Sequence, residues 1–251
     1  IEGSGDATEL EDIYMPFKPK RKTRAEAARQ KGLEPLAQFL LTQSNGDVQQ
    51  KARQFVNADK GVKDTDDALK GAMDIFAEMV SEDERARNTV RNNFRHDAVI
   101  SSKVVKGKEE EGQKFRDYFD FSERLSRCAS HRLLAMRRGE AEGVLRVSIS
   151  GDDDLCMERL ERQFVRGRSQ SSAYVADAVS DSFKRLLKPS IETEFANSSK
   201  ELADQEAIRI FVRNLEQLLM SAPLGQKRVL AIDPGFRTGC KVVCLDAEGK
   251  L

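Results

Sequence analysis

The chain has 251 residues, and its 42 Lys and Arg balance its 42 Asp and Glu, so the formal net charge is zero. This balance excludes a global field that attracts polyanions, so any contact with nucleic acid has to come from local patches. The apolar runs fall well short of the ~20 residues that cross a bilayer, and the N-terminus has no signal-like apolar core. We therefore expect a cytoplasmic protein without membrane contact. We also expect a monomer.

The residues able to bind metal are few and scattered. Four cysteines are too sparse for a disulfide framework, and no pair of them forms a CxxC motif. Cys240 and Cys244 lie on one predicted strand, about 13 Å apart, too far to share a zinc ion, and we expect them to be core thiols. His131 is predicted to be a packing residue. We expect no metal and no cofactor. Because the first residue is Ile1, we expect an internal fragment.

Residues 1–23 are polar and predict a basic, extended arm. Its cations lie near Tyr14 and Phe17, whose rings are able to stack on bases. This combination suits single-stranded RNA or DNA, and the alternative is an arm that lies across the protein's own acidic surface. The candidate nucleic-acid-binding residues are Lys18, Lys20, Arg21, Lys22 and Arg24.

Residues 24–98 have the three-to-four spacing of amphipathic helices. A helix from Arg24 is expected to stop at Gly32, and Pro35 suits the first turn of the next helix. Ser81 and Glu84 have the spacing of a capping box that would start a later helix.

Residues 99–150 mix strand and helix patterns. A β-rich run over Val99–Val105 predicts a strand, and Leu145, Val147 and Ile149 alternate with polar residues as in a half-buried strand. Between them, a helical face is predicted from Ser122, with its end at Gly139.

Residues 152–221 predict further helices. Asp152 to Asp154 are N-cap candidates, and Pro189 is expected to divide a long helical stretch. Ser198 or Ser199 is expected to cap a last helix. Its apolar residues have the spacing of a buried face: Ile208, Phe211, Val212, Leu215, Leu218 and Leu219.

The pattern changes after a linker that contains Pro223 and Gly225. An apolar run to Ile232 ends in Asp-Pro-Gly and is followed by a second apolar strand, which predicts a β-hairpin. We therefore place a domain boundary between a helical region, 1–225, and the start of a second domain, 226–251. Asp233 at a strand end is able to hold a metal ion, or it merely starts a tight turn.

Three segments resemble the bacterial Tex family of transcription accessory proteins. The first, over residues 10–37, is LEDIYMPFKPKRKTRAEAARQKGLEPLA, and the second, over residues 115–145, is FRDYFDFSERLSRCASHRLLAMRRGEAEGVL. The third, VLAIDPGFRTGCKVVCLD, resembles the opening of a ribonuclease-H-like domain of the YqgF type. The three segments occur in order and span most of the chain.

The resemblance implies a mainly α fold: a multi-helical central region with a short β element, then the first hairpin of a truncated ribonuclease-H-like α/β domain. It also implies a non-catalytic, RNA-binding scaffold in transcription, with RNA polymerase or other transcription factors as partners. Asp233 is then a position of the fold and no catalyst. Two alternatives stay open, a metal-dependent ribonuclease-H-like nuclease and a protein-interaction platform for the transcription machinery.

Overall fold

The computed structural model describes residues 7–18, 23–235 and 239–251, and the chain is mainly α, as the sequence predicts. It divides into two compact units, Ile1–Asp204 and Gln205–Leu251. Within the described residues the helices, numbered in chain order, are α1 (Ala7–Tyr14), α2 (Arg24–Gln30), α3 (Glu34–Thr42), α4 (Val48–Arg53), α5 (Thr65–Glu82), α6 (Glu84–Asp97), α7 (Ser130–Ala141), α8 (Asp153–Phe164), α9 (Gln170–Ser182) and α10 (Lys188–Leu219).

Helices α2 to α5 pack around a core of small and branched apolar side chains. The Thr23 side chain accepts a hydrogen bond from the backbone N–H of Glu26 (3.0 Å) and starts α2, and Gly32, at φ 82°, follows its end as predicted. The residues buried here include Ala28, Leu33, Leu36, Leu40, Val48, Ala52, Leu69 and Ile75.

The start of α6 differs from the prediction. Asp83, and not Ser81, is the N-cap, because its carboxylate accepts a hydrogen bond from the backbone N–H of Ala86 at 2.8 Å. The hydroxyl of Ser81 instead donates to the carbonyl of Glu78 in the last turn of α5. Asp is as good an N-cap as Ser, and its position one residue before the first helical residue decides between the two.

Strands β1 (Val99–Val104), β2 (Asp120–Arg124) and β3 (Leu145–Ser150) form an antiparallel sheet in the order β2-β1-β3. Ile100, Ser102 and Ile149 are buried on its inner face. The predicted strands at Val99 and Leu145 are confirmed. Since side chains alternate between the faces of a strand, the intervening residues form an outer face that is polar apart from Val99.

The helix predicted from Ser122 begins later and ends later. Ser122 lies in β2, a 3-10 turn covers Leu125–Arg127, and α7 begins only at Ser130. Gly139 is not a helix stop but a packing position, because a Cβ there would lie 2.5 Å from Cδ1 of Leu145. Gly143, at φ 71°, follows the end of α7 instead.

A second core contains residues of helices α5, α6, α7, α8 and α9, of the start of α10 and of the inner face of the sheet. Phe94 is 1% exposed, and its ring centroid lies 5.3 Å from that of Phe195. Asp152 caps α8 by accepting a hydrogen bond from the backbone N–H of Leu155 (3.0 Å), which confirms the first of the predicted caps.

The long helical stretch is divided just before Pro189, as predicted. A π-helical segment, Phe183–Leu187, separates α9 from α10. The backbone N–H of Lys188 donates to the carbonyl of Phe183, and Pro189 follows with no N–H to place. No new helix begins at Ser198 or Ser199. Both lie within α10, and their hydroxyls donate to the carbonyls of Phe195 and Ala196.

Residues 205–251 form the second compact unit. The predicted buried face of α10 is exposed here: Ile208 62%, Phe211 65%, Val212 54%, Leu215 41%, Leu218 72% and Leu219 75%. Strands β4 (Val229–Gly235) and β5 (Gly239–Leu245) pair as an antiparallel hairpin. Its place in a ribonuclease-H-like domain, and the domain boundary after residue 225, stay predictions. Cys240 and Cys244 are exposed, so they are not the core thiols that we expected.

Candidate nucleic-acid interface

The predicted arm, residues 1–23, is not extended where the structure describes it, because Ala7–Tyr14 form α1 and Met15–Phe17 form a 3-10 turn. The basic run that follows is described at its two ends. Tyr14 is 42% exposed and Phe17 is 78% exposed, and Lys18 follows them on the surface. Arg24, also exposed, is the first residue of α2. Lys20, Arg21 and Lys22 lie outside the described residues. An aromatic ring as exposed as that of Phe17, beside a lysine, suits stacking on a base next to a phosphate.

Lys18 is held by a carboxylate of its own arm. Its ammonium lies 2.9 Å from Glu11, and both side chains are 54% exposed. The hydrogen bond from Lys18 to Glu11 raises the pKa of Lys18. An exposed pair of this kind contributes little to stability, so a phosphate is able to replace Glu11 at small cost.

Arg24 borders a small cavity of mixed charge. The cavity, about 290 Å³, is lined by Met15 and Arg24 and by residues of α5 that include Asp74. Burial raises the pKa of Asp74, although the charges of Arg185 and Arg24 oppose this rise. Arg24 therefore serves partly to offset an internal carboxylate, which fits the alternative that the arm contacts the protein's own acidic surface.

Helix α1, which lies within the arm and precedes the basic run, is anchored by a buried ion cluster that the sequence did not predict. Asp12 is 4% exposed, and Arg87 and Arg91 of α6 are 4% and 3% exposed. Nε of Arg87 lies 2.6 Å and Nη2 of Arg91 lies 2.8 Å from Oδ1 of Asp12. Arg91 also donates to Glu194 of α10, at 2.7 Å.

The cluster keeps Asp12 ionised. Burial on its own would raise the pKa of this carboxyl, but the hydrogen bond from Arg91 and the charges of Arg87 and Arg91 outweigh it, so the pKa is lowered. The Asp12 carboxylate is thus a fixed link between α1 and the helical body. Sequence reasoning missed it because Arg87 and Arg91 are 75 and 79 residues away along the chain.

Asp233 does not end its strand. β4 continues through Pro234 and Gly235, and Asp233 pairs with Lys241 across the hairpin. The side chain is exposed. Within the described part of the chain, no group of three or more His, Cys, Asp or Glu side chains is placed to hold a metal ion.

The thiols and the histidine of residues 128–156 show no arrangement for nucleophilic catalysis among the residues that the structure describes. Burial raises the pKa of Cys128 to about 12 and that of Cys156 to about 11, so both thiols are protonated near neutral pH. His131 is exposed on α7, which contradicts its predicted packing role. Arg132 and Arg137 of the same helix are paired with Glu123 (3.3 Å) and Glu140 (2.8 Å).

The outer face of the β2-β1-β3 sheet carries basic residues that the sequence did not single out. Lys103, Arg124 and Arg146 are all exposed, and the pairing register places Lys103 beside Arg146. In the sequence, Arg146 lies between Leu145 and Val147 in an alternating strand pattern, which indicates an outward position. Only the register, which depends on tertiary structure, places Lys103 next to Arg146, and Arg124 lies two rows away on the same face.

Among the residues that the structure describes, no helix combines the length and apolar character that crossing a membrane requires.

Comparison with known proteins identifies the family. Residues 43–211 match the family model described as Tex central region-like. The chain is 43% identical over 256 residues to Protein YhgF of Escherichia coli (strain K12), a match that covers 97% of this chain and 33% of that protein. It is 39% identical over 257 residues to Transcriptional accessory protein Tex of Neisseria gonorrhoeae, covering 100% of this chain and 34% of that protein.

A more distant relative is S1 RNA-binding domain-containing protein 1 of Homo sapiens, 31% identical over 260 residues, with 97% of this chain and 26% of that protein covered. The chain therefore spans about a third or less of the length of these relatives. The family model covers most of the helical unit and reaches into the exposed part of α10. On this evidence, the chain belongs to the Tex family.

Proposed function

We propose that this chain is the central part of an RNA-binding transcription accessory factor, in which it acts as a non-catalytic scaffold. The observation that carries the proposal is the pair of exposed rings, Tyr14 and Phe17, directly before Lys18 and the rest of the basic run. The names of two relatives, a transcriptional accessory protein and an S1 RNA-binding domain-containing protein, support the same role.

The arm would bind single-stranded RNA or DNA in a way that does not depend on sequence. The cations neutralise phosphates, and the rings stack on bases, each of which has a π-face. The anchored Asp12 holds α1 on the helical body, so the basic run after α1 starts from a fixed point. Less of its freedom is then lost when RNA binds.

Replacing Lys18, Lys20, Arg21 and Lys22 with Gln in the intact protein should weaken the binding of single-stranded RNA. If all four contact phosphates, the slope of log K against log salt should become shallower by about 3, at about 0.7 for each contact. Fluorescence anisotropy at several salt concentrations measures both effects. The matched control replaces four exposed cations elsewhere, Arg53, Lys60, Lys63 and Lys70, with Gln.

An arm variant that binds like this control would remove the arm from the function. Two-metal hydrolysis needs several converging carboxylates, whereas the cross-strand partner of Asp233 is Lys241. We therefore expect no cleavage of the RNA when magnesium is added to the same samples. Magnesium-dependent cleavage of the RNA that disappears in Asp233→Asn would favour the ribonuclease-H-like alternative.

The predicted contact with RNA polymerase or another transcription factor stays a prediction, as do the cytoplasmic location and the monomeric state. The exposed apolar residues of α10 are the feature that favours the interaction platform among the alternatives.

A further inference from the structure

The outer face of the β2-β1-β3 sheet is polar apart from Val99 and is arranged in rows across the three strands. The central strand, β1, supplies the middle residue of each row, and the antiparallel register supplies the flanking ones. The rows are Asp120, Lys103 and Arg146; Ser122, Ser101 and Ser148; and Arg124, Val99 and Ser150.

The charges on this face are unbalanced. Lys103, Arg124 and Arg146 contribute three positive charges, and Asp120 contributes one negative charge. Arg124 lies 3.9 Å from Asp97, and both side chains are about half exposed, so this contact neutralises little. Lys103 and Arg146 form no ion pair with any residue that the structure describes.

Lys103 has Asp120 opposite it on β2 and Arg146 opposite it on β3, so the row carries one net positive charge. Like charges directly opposite each other on neighbouring strands destabilise a sheet. An anion bound between Lys103 and Arg146 would remove this repulsion, and a phosphate suits Arg particularly well because the guanidinium fork matches its oxygens. The cross-strand pair of Lys103 and Arg146 is thus complementary to a phosphate, and Asp120, opposite Lys103 on β2, weakens this attraction.

The middle row adds hydroxyl groups between the charged rows. The hydroxyls of Ser101 and Ser148 lie 2.9 Å apart, and Ser122 is exposed on the other side of Ser101. Hydroxyls contribute, with Arg and Lys, many of the hydrogen bonds that proteins make to phosphate and sugar oxygens. Successive rows are separated by two residues of strand, about 6.8 Å.

The aromatic ring of this sheet lies on the opposite side. Phe121 packs on the core, with its ring centroid 5.6 Å from that of Tyr118. Bases therefore have no ring among these three rows to stack on. The face suits the sugar–phosphate backbone of a nucleic acid and would not distinguish one base sequence from another.

We propose that this outer face, centred on Lys103 and Arg146, is a second contact surface for the nucleic-acid backbone. The proposal rests on the proposed RNA-binding function and names a site for it that is separate from the arm in sequence. Backbone contacts hold the strand in register and leave base recognition to other parts of the protein.

The test replaces Lys103, Arg124 and Arg146 with Gln in the intact protein and measures binding of a single-stranded RNA of mixed sequence. The slope of log K against log salt should become shallower by about 2, at about 0.7 for each lost phosphate contact. The matched control, Arg53, Lys60 and Lys63 changed to Gln, removes the same charge from other exposed positions. Circular dichroism establishes that each variant is folded.

A change of opposite sign sharpens the test. Asp120→Asn removes the one carboxylate of the face, and binding should tighten about two-fold at low salt, in keeping with the modest energies of exposed charges. Asp59→Asn, at an exposed position elsewhere, is its control and should leave the affinity unchanged.

The outcomes separate this inference from the proposed function. If the sheet variant binds like its control while the arm variant is weakened, the sheet surface is wrong and RNA binding by the arm stands. If neither the sheet variant nor the arm variant differs from its control, both proposals fail. Weakening by the sheet variant and tightening by Asp120→Asn together support the sheet surface.

Discussion

The two compact units use similar apolar patterns with opposite results. In residues 7–204 the stripes of α5, α6 and α9 are buried, with Val80, Val90 and Val179 each 0% exposed. In residues 205–251 the stripe of α10 is exposed, as are Leu230 and Ile232 of the hairpin, at 62% and 57%. An amphipathic sequence pattern indicates which face of a helix is apolar. Burial also requires a surface that packs against that face.

The largest expected effect is a difference in the free energy of unfolding between two Phe→Ala variants, one in each unit. Phe94→Ala should lower the free energy of unfolding by about 3 to 5 kcal/mol, because it leaves a cavity in a tightly packed core. Phe211→Ala should change it by less than about 0.5 kcal/mol, because the ring is already exposed. Urea denaturation of this chain measures both. A large loss from Phe211→Ala would break the comparison, since it would mean that the α10 stripe is buried.

The second prediction concerns the ion cluster of the first unit. Asp12→Asn leaves Arg87 and Arg91 buried with less negative charge, and it should lower the free energy of unfolding by about 3 kcal/mol. Because the pKa of Asp12 is lower in the folded state, the native chain should be stabilised by this carboxylate above its ordinary pKa of 3.8 and should lose that stabilisation as the pH falls through the folded value.

Denaturation curves recorded from neutral to acidic pH test this sign. The difference in stability between the native chain and Asp12→Asn should shrink as the pH falls below about 4, where the unfolded chain takes up the proton first. Asp59→Asn, an exposed position, serves as the control. A difference that does not depend on pH would contradict the lowered pKa.

The smallest expected effect comes from helix caps. We compare Asp83, the observed cap of α6, with Ser198, which was only predicted to be a cap. Asp83→Ala removes the observed cap of α6 and should cost about 1 kcal/mol. Ser198→Ala should be close to neutral, because Ser198 lies within α10 and its hydroxyl only donates to the carbonyl of Phe195. Thermal unfolding of both variants provides the measurement. Equal losses would indicate a helix boundary at Ser198 and would shift the border between the two units.

Local signals predicted much of the fold. The strands at Val99 and Leu145, the Asp152 cap and the turn at Gly32 depend on neighbours in sequence, and the structure confirms them. The sequence does not predict β2, because Leu125, Leu133 and Met136 have helical spacing and favour a helix that begins at Ser122. The register of the sheet then decided that Ser122 pairs with Ser101.

The candidate sites also differ in whether local sequence patterns could predict them. The basic arm is contiguous, so composition alone finds it, and exposure of Phe17 agrees with the role assigned to its ring. The cluster of Asp12 with two arginines could not be predicted, because Arg87 and Arg91 lie in a highly charged helix that reads as a solvated surface. Lys103 and Arg146 are neighbours only through strand pairing.

By itself, the sequence determined the family, the mainly helical class, the position of the basic arm and the start of a β-hairpin after the linker. These follow from patterns within a few turns of helix or a few residues of strand. Tertiary structure alone decided that Asp12 is buried between arginines, that the stripe of α10 is exposed and that basic residues meet on one sheet face. Burial and pairing join residues far apart in the chain, and the energies that select those contacts are absent from any local pattern.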